Sequence, residues 1–258
     1  MEKIIDITKE NIDKYPCRCF MKANDIGYEK KLLWFKKKFD KGIRAKQLYL
    51  ENENKANGFI EYCISDELVR AVVAKNYVFI NCLWISPNKF KSKGYASKMI
   101  QSVIDDAKKM NKLGIATIAS SKKPFIADER VFIKNGFSKI DEKNDYILLA
   151  LSFKKDNKNM PYFADISSNL LKYSKENIVI TYSAQCPWVA KSITEFKESF
   201  ESYKIPFNIK ELKEYSDIIN WSISPFSVFN LVIDGKTKAE HYISKTRCEN
   251  ILKKNKQN

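Results

Sequence analysis

The run from Cys82 to Ile100 constrains this chain more than any other. An apolar stretch, Cys82-Leu83-Trp84-Ile85, passes through a basic turn ending at Gly94 and straight into an amphipathic helical pattern that begins at Tyr95. A strand feeding a helix through such a turn makes an anion cradle. The first helical turn presents backbone N–H groups with no partner inside the helix, and the helix dipole adds partial positive charge there. Lys91 and Lys93 add whole charges. Gly94 lets the backbone approach a ligand closely, and the small Ala96 leaves the first turn unobstructed. A pyrophosphate group would fit this place.

Lys91-Ser92-Lys93-Gly94-Tyr95-Ala96 resembles the Gln/Arg-x-x-Gly-x-Gly/Ala pattern of the GNAT superfamily of N-acetyltransferases, whose loop amides hold the pyrophosphate of acetyl-CoA. The resemblance runs in the right order over residues 49–151. It implies acetyl-CoA as co-substrate, bound by Lys91, Ser92, Lys93, Gly94, Tyr95 and Ala96. It also implies backbone donors at Trp84 and Ile85 for the pantetheine arm and the oxyanion. Three features depart from the pattern. Lys91 lacks the planar fork of an arginine, Ser92 stands where a further glycine is common, and residues 87–91 make the loop one residue longer than usual.

The turn Asn135-Gly136-Phe137 also resembles the family, in which a helix ends this way before the last strands; helix termination by a left-handed glycine explains it equally. The family often places an acid tyrosine four residues before that glycine, but Phe132 stands here. Val78-Phe79-Ile80-Asn81-Cys82-Leu83-Trp84 likewise carries no carboxylate where many relatives have a glutamate base. The family's acid and base therefore do not transfer. Asp128 and Tyr146, in segments flanking such a site, are the remaining catalytic candidates, set against a helix cap and a packed strand aromatic. Cys82 reads as a small core residue rather than an acyl carrier.

At 258 residues and 44% hydrophobic content, the chain is long enough for two ordinary globular domains. The formal net charge of +15 is almost all lysine, with arginine only at positions 18, 44, 70, 130 and 247. It reads as a solvated lysine surface rather than a nucleic-acid site. No apolar run approaches the ~20 residues that span a bilayer, and the first residues are no secretory signal, so a cytoplasmic protein without membrane association is expected. The six cysteines show no paired CxxC spacing, and with His241 the only histidine, neither a metal site nor a histidine triad is expected.

Hydrophobic periodicity organises the chain into an α/β (α+β) pattern. Residues up to Asp40 read as helix, with Leu32, Leu33, Phe35 and Phe39 facing a core. Residues 47–50, 58–65 and 77–85 read as an antiparallel meander, with a turn at 52–58. Helix to about 111, strand 115–119, helix near 128–134 and strand 145–151 follow. These match the GNAT order, a mixed and largely antiparallel sheet flanked by helices, over a domain of residues 1–153. A charged, Asn-rich linker at 154–164 precedes a smaller domain at 165–258.

That second domain reads as strand 178–182, helix 189–203, strand 207–211, helix 217–221, strands 228–233 and 238–243, and helix 245–253. This βαβαββα order resembles a thioredoxin-like fold. Ser183-Ala184-Gln185-Cys186-Pro187-Trp188 places Cys186 at a helix start, where the dipole lowers a thiol pKa. Val189 stands where CxxC would end, which excludes a dithiol cycle and leaves Cys186 as a monothiol candidate or a residue of a redox-dead fold. The resemblance places Ser224-Pro225 at the fold's cis-proline. Together the halves resemble the two-domain YoaP-like acetyltransferases; that resemblance does not give the substrate, and the acceptor expected is an unidentified small-molecule or peptide amine. Two other classes stay open: a CoA- or macromolecule-binding protein without turnover, and a monothiol protein using Cys186.

Overall fold

A computed structural model describes residues 2–51, 53–154, 158–173, 178–202, 204 and 206–255. Expectations for Asn52, for linker residues 155–157 and for Tyr203 fall outside the described residues. The elements in order are β1 Lys3–Ile7, α1 Ile26–Lys38, β2 Ile43–Tyr49, β3 Gly58–Cys63, β4 Val72–Val73, β5 Tyr77–Ile85, α2 Tyr95–Lys109, β6 Gly114–Ala119, α3 Glu129–Ile133, β7 Ser138–Lys143, β8 Tyr146–Ser152 and β9 Tyr162–Phe163. Then follow β10 Ile178–Tyr182, α4 Pro187–Ser202, β11 Asn208–Glu211, α5 Tyr215–Trp221, β12 Phe229–Ile233, β13 Lys236–Ala239 and α6 Lys245–Asn255. The chain divides into two compact units. The first comprises Met1–Pro16, Lys37–Leu68 and Val72–Phe163; the second comprises Cys17–Lys36, Val69–Ala71 and Ala164–Asn258.

The first unit is built on a seven-stranded sheet of order β1-β2-β3-β5-β6-β8-β7. Only β5 and β6 run parallel, paired from Tyr77↔Gly114 to Ile80↔Thr117. Helix α2 carries Met99, Ile100, Val103, Ile104 and Ala107 on one face, the spacing of an amphipathic helix, and buries them against Ile60, Val78, Ile80 and Leu149. A polar clamp holds the same helix: Tyr62 Oη donates to Asp106 Oδ2 at 2.6 Å, and Lys46 Nζ lies 2.8 Å from that oxygen. Burial opposes the charge on Lys46, but hydrogen bonds and charges from Asp106 and Asp6 outweigh it and hold the ammonium above its usual range.

Gly114 opens β6 where no side chain fits. A Cβ there would lie 2.3 Å from the Leu151 carbonyl oxygen and 2.6 Å from Tyr77 Cε1. Gly114→Ala is expected to cost about 2 kcal/mol through overpacking, seen as a lower urea midpoint with an unchanged slope. An unchanged midpoint would show that β8 moves aside freely.

Four strands escaped the sequence pattern: the two-residue β4 and β9, and the longer β1 and β7. Lys3–Ile7 is an edge strand, not part of a helix, and pairs with β2 from Lys3↔Tyr49 to Ile7↔Ala45. Its β-branched isoleucines suit a pleated surface better than a helix. β7 buries none of its six residues and pairs only with β8, so it carries no apolar alternation to read. Leu33 is also 53% exposed rather than core, whereas Phe35 and Phe39 are buried.

The second unit has a four-stranded sheet of order β11-β10-β12-β13, with β10 and β11 parallel and the other pairs antiparallel. α4 connects β10 to β11, α5 connects β11 to β12, and α6 ends the chain. Its core joins Ile180, Leu231 and Phe229 of the strands to Val189, Ile193, Phe196 and Phe200 of α4, spaced at three, four and seven. The peptide bond between Ser224 and Pro225 is not cis; among the described residues only Ser86–Pro87 is.

Candidate functional site

The loop between β5 and α2 carries the sequence signal. Ser86 N–H donates to Asn57 O at 2.8 Å as β5 ends, a 3-10 turn spans Asn88–Phe90, and Ser92 and Gly94 take left-handed φ values of 61° and 82°. Gly94 is the N-cap of α2, and no side chain caps that helix start. Residues 91–94 are all exposed. A Cβ on Gly94 would meet no atom within 4 Å, so the space over the turn is clear. Lys91, Ser92, Lys93, Gly94, Tyr95 and Ala96 therefore surround an uncapped helix start with two lysines, a setting that attracts anions. The loop is braced at both ends. Lys89 pairs with Glu53 at 2.9 Å, and Asn135 Nδ2 donates to Ser97 Oγ at 3.1 Å.

Beside this loop the sheet opens. No residue of β6 pairs with β5 beyond Ile80, while β5 continues to Ile85 against β3 alone. Thr117 Oγ1 donates to Ile80 O at 3.0 Å where the strands part. The pairing with β3 also slips here: Glu61 faces Cys82 and Tyr62 faces Ile80, which leaves Asn81 as a bulge residue. Trp84 stacks on Phe59 at 5.8 Å, Ile85 packs toward α2, and Cys82 is partly exposed. The backbone of Cys82 to Ile85 thus lines a split strand pair that leads to the loop.

The two catalytic candidates of this unit sit apart in role. Asp128 caps α3 by accepting Arg130 N–H at 2.8 Å, and its carboxylate takes the Arg130 guanidinium at 2.5 Å. The Arg130 hydrogen bond holds that carboxyl below its usual range. Tyr146 is fully buried at the start of β8, with Lys123 Nζ 5.1 Å from its ring centre. Phe132 is buried edge-on against Phe137 at 5.5 Å. Phe132→Tyr is expected to leave turnover within about tenfold, because a packed benzyl ring moves no proton. A large loss in Phe132→Leu with unchanged stability and CoA affinity would point instead to a substrate-shaping role. Sequence reading passed over Glu129, whose Oε2 is buried and accepts no hydrogen bond from any described residue. The signal was a carboxylate three residues before Phe132, on the inward side of a short helix.

Cys186 lies in the second unit between β10 and α4. Burial pushes its thiol above the usual range, against the amides of Val189 and Trp188 and the charges of Lys31 and Arg70. The lowered pKa expected from the helix start is corrected: desolvation wins over the dipole. Segments distant in sequence close over this end of α4. Arg70, itself buried, donates to Gln185 Oε1 at 2.8 Å, Trp188 Nε1 donates to Cys19 O at 3.0 Å, and Lys191 pairs with Asp25 at 3.0 Å. Gly27 packs so tightly that a Cβ would lie 2.2 Å from Pro187 O.

Among the described residues no group of three or more His, Cys, Asp or Glu side chains could hold a metal ion, and no helix is long and apolar enough to cross a membrane. Residues 9–127 match the model of the acetyltransferase (GNAT) family. That stretch, which contains most of the first unit, is thus similar to the acetyltransferase (GNAT) family. Over 252 residues the chain is 29% identical to YoaP of Bacillus subtilis, described as an uncharacterized N-acetyltransferase, covering 96% of this chain and 97% of that protein. Among solved structures, the ribosomal-protein-S18-alanine N-acetyltransferase of Escherichia coli is 15% identical, with a TM-score of 0.40 over 63% of this chain and 100% of that one. A GNAT acetyltransferase of Staphylococcus aureus is 16% identical, with a TM-score of 0.44 over 60% and 100%.

Proposed function

We propose that the first unit is a GNAT domain that transfers the acetyl group of acetyl-CoA to the amine of a small molecule or peptide. In this reading the amides and lysines of residues 91–96 hold the pyrophosphate, and the backbone of Trp84 and Ile85 holds the pantetheine arm and the oxyanion. The observation that carries it is the uncapped start of α2 at Gly94, open above and placed beside the split between β5 and β6. The N-acetyltransferase name of the Bacillus subtilis relative supports an amine acceptor. Much of the acceleration comes from orienting amine and thioester, with hydrogen bonds to the developing oxyanion.

The second unit is proposed as a thioredoxin-like domain. Its strand order and directions, one parallel pair followed by two antiparallel ones, support that reading. A cytoplasmic location and a division near residues 154–164 belong to the same proposal. Calorimetric titration with CoA, followed by acetyl-CoA turnover against a panel of primary amines, tests it. No binding would refute the cradle. Binding without any turnover would favour a CoA-binding protein, and loss of activity on alkylation of Cys186 would favour the monothiol alternative.

A further inference from the structure

We infer that Glu129 is the catalytic base of the first unit, taking a proton from the acceptor's ammonium group; this role rests on the transferase reading. The family's glutamate position on β5 holds no carboxylate and its tyrosine position holds Phe132, so a base supplied by this chain would come from another position. Glu129 opens α3 three residues before the buried Phe132, and residues three apart share a helix face. Its Oε2 is accordingly buried, and no described residue donates a hydrogen bond to it. An unsatisfied buried carboxylate oxygen is costly, which marks it as a place where a ligand proton is missing.

The place is right for the chemistry. Ser120 N–H donates to Ala127 O at 3.1 Å, which pins the start of α3 to the end of β6, where β5 and β6 have already parted. Asn135 ties the turn after α3 to Ser97 in the first turn of α2. α3 therefore runs from the mouth of the strand split to the anion cradle, with Glu129 at the mouth. The neighbouring charges are engaged: Lys122 with Asp145 at 2.8 Å, Arg130 with Asp128, and Lys123 over Tyr146. Glu129 is in none of these ion pairs, though its charge adds to those that favour the protonated forms of Lys122 and Arg130, and it offers an incoming cation a carboxylate with one unsatisfied oxygen.

The step balances without any further reagent. Glu129 accepts one proton from the ammonium, and the freed amine attacks the thioester carbonyl carbon. The C–N bond forms and the C–S bond breaks. The second nitrogen proton neutralises the departing CoA thiolate, and Glu129 releases its proton to water.

The test compares wild type with Glu129→Gln on acetyl-CoA and primary amines (spermidine, lysine, ethanolamine and a short peptide with a free N-terminus). General-base catalysis of this kind contributes about 100-fold or more, so kcat is expected to fall by at least that much. CoA affinity should stay within about threefold, and the acid limb of the pH–kcat profile should disappear. Glu129→Asp should recover part of kcat together with an acid limb. Glu129→Leu, which removes the buried unsatisfied oxygen, should fold and be as slow as the Gln variant. A Gln or Leu variant with kcat near wild type, or with the acid limb intact, overturns the role of Glu129 and leaves the transferase reading standing. Wild type that binds acetyl-CoA but acetylates no amine overturns both.

Discussion

Gly94→Val is expected to fold and yet bind CoA at least a hundredfold more weakly. At φ 82° a β-branched residue is strained by about 1–3 kcal/mol, which the protein relieves by reshaping the very turn that leads into α2. A Cβ at this position meets no protein atom within 4 Å, so the substitution creates no clash inside the fold. The added methyl groups instead enter the space a pyrophosphate would occupy, and the reshaped turn no longer aims its N–H groups at one point. Lys93→Ala should lose far less, because an exposed lysine acts through screened charge alone. Calorimetry reads the affinities, and thermal melts check the fold. Undiminished CoA affinity in a folded Gly94→Val protein would remove the cradle as the binding site.

The contrast between Gly94 and Glu129 shows what a sequence displays and what it hides. Gly94 is legible because one glycine must serve a strand end, a basic turn and a helix start within a few residues, and the apolar periods on both sides change from two to 3.6. The helix it starts ends at Lys109, close to the boundary read from the pattern, and β5 and β10 match their predicted ranges. β7 was hidden for the opposite reason: an edge strand with no buried residue leaves no apolar trace. Glu129 is a carboxylate among other charged residues, and only folding reveals that one of its oxygens is buried. The grouping of Cys17–Lys36 and Val69–Ala71 with the C-terminal residues was equally invisible. It depends on pairs such as Arg70 with Gln185 and Asp25 with Lys191, which lie more than a hundred positions apart.

Those long-range contacts reverse the expected behaviour of Cys186. A thiol at the start of a 16-residue helix would ordinarily be the most reactive in the chain, since the dipole and the amides of Trp188 and Val189 favour the thiolate. Here burial is the larger influence and keeps the proton on sulfur, even with Lys31 and Arg70 nearby. A folded pKa above the unfolded one also fixes the sign of the stability effect. The contribution of Cys186 is complete below the unfolded value of about 8.5 and is lost as pH rises through the folded value, so alkaline solutions should loosen this unit. Limiting iodoacetamide at neutral pH is expected to label Cys19 and Cys82 ahead of Cys186, which is partly exposed like them but whose sulfur holds its proton more firmly. Cys186 should react more slowly than either and gain most in denaturant, because attack needs a thiolate. Asp25→Ala, which removes the partner of Lys191, should speed labelling of Cys186 selectively if the contacts of Cys17–Lys36 restrict the approach to it. Cys186 appearing first in the native peptide map would mean that the helix dipole prevails after all and that the thiol is open to solvent.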